Sequence, residues 1–275
     1  MPKDNTLGIV AGGGQFPFIV AKGALDKGMR VAVIGFDNDT DPAISELAHA
    51  MKWIKLGQLG RLISFMRDQH VREIVFAGPV NKPRALSLRP DMKALKLLFK
   101  LSSRNDNALL TAVINELEAE GFKVVSALQY TPQLQAPAGN LTKRKPDDRE
   151  WEDIHFGWPI VRQIGALDIG QCIVVREKAV IAVEAIEGTD ATILRAGSLI
   201  KEGFTVIKTF KPDQDNRIDL PAMGLATIET MIKAGARCLA YEAGKSLFFD
   251  RDKAARLADK HKITIVGLAE DFKPL

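Results

Sequence analysis

Two short stretches concentrate the residues that could do chemistry. In "AVEAIEGTD" an apolar run delivers Glu184, Glu187 and Asp190 within seven positions, with Gly188 and Thr189 between the last two. In "KTFKPDQDNRIDLPAMG" the acids Asp213, Asp215 and Asp219 are interleaved with Lys208, Lys211 and Arg217. Carboxylates this close repel one another unless a cation neutralises them, and a divalent metal with oxygen ligands does so naturally. Each stretch follows a β-rich run. Together they point to a metal-assisted phosphoryl site, in which acids hold Mg²⁺ and Lys or Arg neutralises phosphate oxygens. Taken alone, the first stretch also reads as a surface turn whose Asp190 caps the helix "ATILRAGSLI".

A third stretch, "GIVAGGGQFP", sets Gly12, Gly13 and Gly14 directly after a strand and Pro17 at a helix start. Glycines let backbone N–H groups approach phosphate oxygens, and a helix N-terminus favours an anion. Gly12 and Gly14 match the dinucleotide fingerprint but Pro17 replaces its third glycine, so a phosphate loop and a merely tight turn both remain open. Asp37, after the second strand, is a candidate ribose acceptor. In "FAGPVNKPRALSLRPD", Asn81, Lys82 and Arg84 follow a strand, where open α/β sheets collect ligands. The helix "RPDMKALKLLFKLSSR" carries Lys93, Lys96, Lys100 and Arg104 at spacings that make one basic stripe, suited to an anionic membrane or to solvent. Four histidines give no compelling Ser–His–Asp set and no zinc spacing, and His155 beside Trp158 reads as packing.

The elements that must position these residues alternate. "TLGIVA", "RVAVIGF", "EIVFAG" and "KVVSAL" are strand-like and separated by amphipathic helices, which predicts a parallel, Rossmann-like sheet over residues 1–130. Residues 131–150, "TPQLQAPAGNLTKRKPDDRE", lose the apolar period and read as a linker. Residues 151–275 predict a second α/β domain with a mixed sheet. It opens with a helix that must accommodate Pro159 and continues with two strands joined through "REK" as a hairpin. The expected class is therefore α/β, two domains joined by a linker. With 275 residues, a net charge of +4, and 46% hydrophobic and 26% charged residues, the chain has ordinary globular values that exclude disordered and fibrous classes and argue against nucleic acid. Cys172 and Cys238 lie in apolar runs and fit a reducing cytoplasm. No run approaches a membrane span and the N-terminus lacks a signal-peptide core, so any membrane contact is expected to be peripheral.

"GIVAGGGQFP", "LDIGQCIVV", "AVEAIEGTDATILRAG" and "KPDQDNRIDLPAMG", in that order along nearly the whole chain, closely resemble the LpxI-type UDP-2,3-diacylglucosamine pyrophosphatases of lipid A biosynthesis. The resemblance implies a Mg²⁺-dependent hydrolase that cuts UDP-2,3-diacylglucosamine into UMP and 2,3-diacylglucosamine 1-phosphate (lipid X), with water attacking the sugar-side phosphorus. It implies two domains with a lipid chamber, a homodimer, and peripheral contact with the inner membrane from the cytoplasm. Carried over by motif, Asp219 is the leading catalytic acid and Asp215 the second, with Lys208 and Arg217 as cations. Asp219, Glu184, Glu187 and Asp190 would serve the metal. Gly12, Gly13, Gly14, Gln15, Thr189 and Lys211 would meet the substrate and its phosphates, joined by Asn81 and Lys82 on the strength of their strand-end loop. Ile218 stands where that family has an aromatic. The rival readings are a dinucleotide-dependent oxidoreductase and a non-catalytic lipid- or nucleotide-binding module.

Overall fold

The structure, a computed structural model, describes residues 5–80, 90–100, 106–212, 215, 217, 220–269 and 272. The chain folds as two units. One comprises Met1–Pro132 with Asp215–Asp219, the other Gln133–Gln214 with Leu220–Leu275. Both are α/β, the first built on a parallel sheet and the second on a mixed one.

The first sheet is ordered β3-β2-β1-β4-β5: β1 (Thr6–Ala11), β2 (Arg30–Phe36), β3 (Ala50–Ile54), β4 (Glu73–Ala77) and β5 (Lys123–Val124). Every pairing is parallel. The strands read as continuous apolar runs because both faces are covered. Leu7, Ile9, Val31 and Val33 pack with α1 (Phe16–Asp26). Val10, Ala32 and Ile34 pack with α2 (Leu59–Asp68) and α4 (Asp106–Ala119) on the other face. Between those helices runs α3 (Met92–Lys100). The strand order reverses between β1 and β4, and the crevice at that switch point is where open α/β sheets take ligands. The sequence pattern did not mark β3, whose "AMKWI" is only partly buried.

The second unit opens with α5 (Asp148–Ala166), started by a capping box between Asp147 and Glu150 and containing Pro159. Its sheet is ordered β6-β13-β11-β9-β7-β8. β9 (Phe204–Lys208), β11 (Ala236–Glu242) and β13 (Thr264–Leu268) are mutually parallel. β6 (Gly139–Asn140), β7 (Cys172–Arg176) and β8 (Ala179–Val183) add antiparallel pairings. Side-chain alternation sorts the faces. Ile173, Val175, Ile207 and Ala240 meet α5. Val174, Val206, Leu239 and Tyr241 meet α6 (Thr189–Leu199), α7 (Leu225–Ala234) and α8 (Arg251–Lys260). A two-stranded sheet pairs β10 (Ala222–Gly224) with β12 (Leu247–Phe249).

The expected β7–β8 hairpin is present. Glu177 and Lys178 turn it with φ of 51° and 57°, and the buried carboxylate of Asp153 on α5 accepts the Lys178 N–H at 2.8 Å. Residues 131–150 hold a short 3-10 helix, Pro132–Leu134, and the strand β6, which pairs with β13. Among the described residues, no helix is long and apolar enough to cross a membrane.

Candidate functional site

Antiparallel register sets Cys172 opposite Lys208, and the Glu184 N–H donates to the Cys172 carbonyl at 2.9 Å. Lys208, Cys172 and Glu184 therefore share the α6–α7 face at the end of the sheet where the parallel strand β9 finishes. Glu184 is 6% exposed and its carboxylate is held on both sides: it accepts the Thr189 hydroxyl at 3.0 Å and the Gln171 N–H at 3.3 Å. Lys208 is 4% exposed and donates to the Ala222 carbonyl at 2.7 Å. Among the described residues it has no carboxylate partner. Burial pushes the Cys172 thiol up, with Glu184 adding to the shift, as for a thiol packed in the core.

The three acids of the first stretch are not brought together as one metal centre. Glu187 pairs with Arg195 at 2.7 Å and accepts from the Thr192 hydroxyl and the Ala185 N–H. Its own backbone N–H, and then the Arg195 guanidinium, hold its carboxyl below the usual carboxylate range. Asp190 lies exposed in the first turn of α6, whose N-cap is Gly188, so the expected Asp190 cap is replaced by a glycine with φ of 83°. Among the described residues, no group of three His, Cys, Asp or Glu is placed to hold a metal ion.

In the second stretch the charges also find partners. Lys211 pairs with Asp168 at 2.8 Å. Arg217 lays its fork on Asp215 with contacts of 2.7 to 3.1 Å and donates to Glu118 of α4 at 2.6 Å. Arg217 thereby holds the Asp215 carboxyl below its ordinary range and is itself bonded to two carboxylates. Asp213 and Asp219 lie outside the described residues, as do Asn81, Lys82, Arg84 and Arg104.

In the first unit the glycine loop is tightly built. The Gly12 N–H donates to the Ala77 carbonyl at 2.8 Å and the Gly13 N–H to the Pro79 carbonyl at 2.7 Å. Those two amides, expected at phosphate, instead bind the end of β1 to the end of β4. A Cβ on Gly12 would sit 2.3 Å from the Pro79 oxygen, so only glycine allows this crossing. Gly14 differs, with φ of 77° and open space beyond it, and with Gln15, the N-cap of α1, it is the part of the loop that faces outward. Asp37 is exposed, and the residue that joins its loop to β1 is Thr40, whose buried hydroxyl donates to the Ala11 carbonyl at 2.5 Å and accepts the Phe36 N–H. Thr40 carries no motif, and sequence reasoning passed over it.

The basic stripe of α3 is interrupted. Lys93 pairs with Glu116 at 3.2 Å and with Glu120, while Lys96 is exposed. Ala94 and Leu97 pack on the core, whereas Met92 and Phe99 are 69% and 79% exposed. His155 stacks on Phe272 beside Trp151, in keeping with packing.

The chain is 34% identical to UDP-2,3-diacylglucosamine pyrophosphatase LpxI of Caulobacter vibrioides, over 98% of this chain and 99% of that protein. Solved structures are only loosely similar. N5-carboxyaminoimidazole ribonucleotide synthetase in its ADP complex aligns with a TM-score of 0.28 and 12% identity, over 62% of this chain and 32% of that one. The biotin carboxylase domain of a thermophilic 2-oxoglutarate carboxylase aligns with a TM-score of 0.28 and 10% identity, over 62% and 34%. Neither carries an argument. Residues 6–134 match the family model described as the LpxI N-terminal domain and residues 137–266 the one described as the LpxI C-terminal domain, and this chain belongs to the LpxI family.

Proposed function

We propose that this protein hydrolyses the pyrophosphate bond of UDP-2,3-diacylglucosamine in lipid A biosynthesis, releasing UMP and 2,3-diacylglucosamine 1-phosphate. The full-length likeness to a relative bearing that activity in its name supports the reading. The geometric observation that carries it is Lys208: a buried ammonium without a carboxylate partner among the described residues, at the carboxyl end of a parallel strand. Burying an unpaired charge costs several kcal/mol, and an anionic ligand arriving there offsets that cost.

In this proposal water attacks the sugar-side phosphorus. A new P–O bond forms from the water oxygen, the bond to the bridging oxygen breaks, and that oxygen leaves with UMP. Asp219 is the acid assigned to take the water proton, because Asp215 is committed to Arg217. Lys208 would neutralise charge shifting onto the phosphates, and Thr189 would orient Glu184 beside it. In the first unit, Gly14 and Gln15 are assigned an anion at the start of α1.

Mg²⁺ belongs to the proposal, with a restricted fit. The described acids do not by themselves form a cage. Magnesium, however, keeps several waters and binds through one or two carboxylates plus substrate phosphates, and Glu184 would supply one such carboxylate. When bound it supplies charge neutralisation at the pyrophosphate. Peripheral attachment to the inner membrane, proposed for a diacylated substrate, draws support from the exposed Met92, Lys96 and Phe99 of α3.

The test is purified protein with UDP-2,3-diacylglucosamine, with and without EDTA, read by UMP release. Release that stops on chelation and returns with Mg²⁺ is expected. No UMP under any condition overturns the activity, and release indifferent to EDTA overturns the metal alone.

A further inference from the structure

Trp53, the next-to-last residue of β3, is 41% exposed. A single exposed apolar side chain needs no explanation by itself, but this one rests where only glycine leaves room. Register sets Trp53 beside Gly35, the next-to-last residue of β2, and Gly35 beside Ala11, the last residue of β1. A Cβ on Gly35 would lie 3.1 Å from both Cε3 and Cζ3 of the indole and 2.7 Å from the Met51 methyl. Glycine within a strand weakens it and marks the close approach of another group; here that group is the six-membered ring of Trp53, together with Met51. Met51 packs with the α1 cluster, and alternation along β3 puts Trp53 on the same face. The indole is thus held against the sheet at its carboxyl edge while part of it stays open.

Along that edge three features follow one another. The end of β1 leads to Gly14 and Gln15, the outward part of the glycine loop, where α1 starts. The end of β2 leads into the loop 37–40, in which Asp37 is exposed and the Asp39 carbonyl oxygen would lie 3.1 Å from a Cβ on Gly13. The end of β3 carries Trp53. Adjacent strands are about 4.8 Å apart, so two steps set Trp53 about 10 Å across the edge from the end of β1, a span that a nucleoside 5′-phosphate covers from phosphate to base. Nucleotides on parallel α/β sheets run in this order, phosphate at the first helix and ribose at the end of the second strand. We infer that Trp53 is the base platform of the first unit, its indole stacking on the uracil of the substrate's UMP half; this rests on the proposed pyrophosphatase reading. An aromatic face stacks on any base, so Trp53 supplies affinity rather than the choice of base.

The experiment uses the full chain with UMP as the probe. Trp53→Leu removes the aromatic face and Trp53→Phe keeps one. Affinity for UMP is measured by calorimetry, with 2,3-diacylglucosamine 1-phosphate, which has no base, as the control ligand. KM and kcat are read from UMP release, and tryptophan fluorescence is followed as UMP is added. Expected for Trp53→Leu is a Kd for UMP and a KM raised about 10- to 100-fold, with kcat within about threefold and affinity for the control ligand unchanged. Expected for Trp53→Phe is a UMP affinity within about fivefold of wild type and loss of the fluorescence change that UMP causes, since Trp151 and Trp158 belong to the other unit. UMP affinity within about twofold of wild type in Trp53→Leu, or an equal loss for UMP and for the control ligand, overturns the inference. Should Trp53→Leu not fold, Trp53→Phe decides: a fluorescence change that persists there overturns the inference. So does a wild-type protein that binds no UMP. A wild-type protein that binds UMP but releases none from UDP-2,3-diacylglucosamine defeats the pyrophosphatase reading instead, with Trp53 still judged by UMP affinity.

Discussion

The Lys208 ammonium donates to the Ala222 carbonyl at 2.7 Å, joining the last residue of β9 to the first of β10 and closing the base of the loop between them. Among the described residues no carboxylate pairs with this buried ammonium, so an anionic ligand would compensate its lost hydration.

Lys208→Met separates function from stability. Removing the ammonium forfeits its hydrogen bond to the Ala222 carbonyl, about 1 kcal/mol, and removes a desolvation cost of several. The thermal midpoint is expected to stay within about 2 °C or rise, while turnover falls about 100-fold. Melting curves and UMP release on the same preparation check both signs; full turnover would remove Lys208 from the site.

The glycine loop offers a graded pair. Gly12→Ala drives a Cβ to 2.3 Å from the Pro79 oxygen and 2.4 Å from the Gly78 oxygen, and backbone cannot step aside cheaply. A loss of about 3 kcal/mol is expected by chemical denaturation, in the range of overpacking. Gly14→Ala meets open space but imposes φ of 77° on an L-residue, costing about 1 kcal/mol. Equal losses would contradict the crossing of β1 and β4.

Asp215 supplies a pH dependence. Arg217 lowers its carboxyl in the folded protein, so the pair contributes stability above the ordinary carboxylate range and loses it as pH falls through the depressed value. Asp215→Asn should leave a smaller difference between midpoints at pH 3 and pH 6 than wild type shows, the window set by ordinary carboxylates near about pH 4. An identical acid limb in both proteins would argue that the ion pair is not formed in solution.

Asp153 has the opposite sign. Burial raises its carboxyl, so the folded protein holds the proton longer than the unfolded chain, and stability falls as pH rises from about 4. Asp153→Asn keeps an acceptor for the Lys178 N–H and removes that loss. Its midpoint should gain on wild type between pH 4 and pH 7. Asp153→Ala, which leaves the turn N–H without its acceptor, should be less stable by about 1–3 kcal/mol at either pH.

Local signals along the chain carried a large share of this architecture. Alternating apolar runs and amphipathic helices specified two α/β domains, because hydrophobic period and turn residues act over a few positions. "REK" specified the β7–β8 hairpin, and the apolar runs around Cys172 and Cys238 specified their burial. Four motif stretches specified the family. Only the tertiary structure decided which charges remain available. Glu187 meets Arg195, Lys211 meets Asp168, and Arg217 meets Asp215 and Glu118, and of the last pair one partner lies far away in sequence. Gly139 of the expected linker pairs with Gly267, and Glu242 reaches Phe210, through sheet registers that no local pattern encodes. An acid in a sequence is only a candidate, because its chemistry is set by the nearest cation and by burial, and both are properties of the packed sheet.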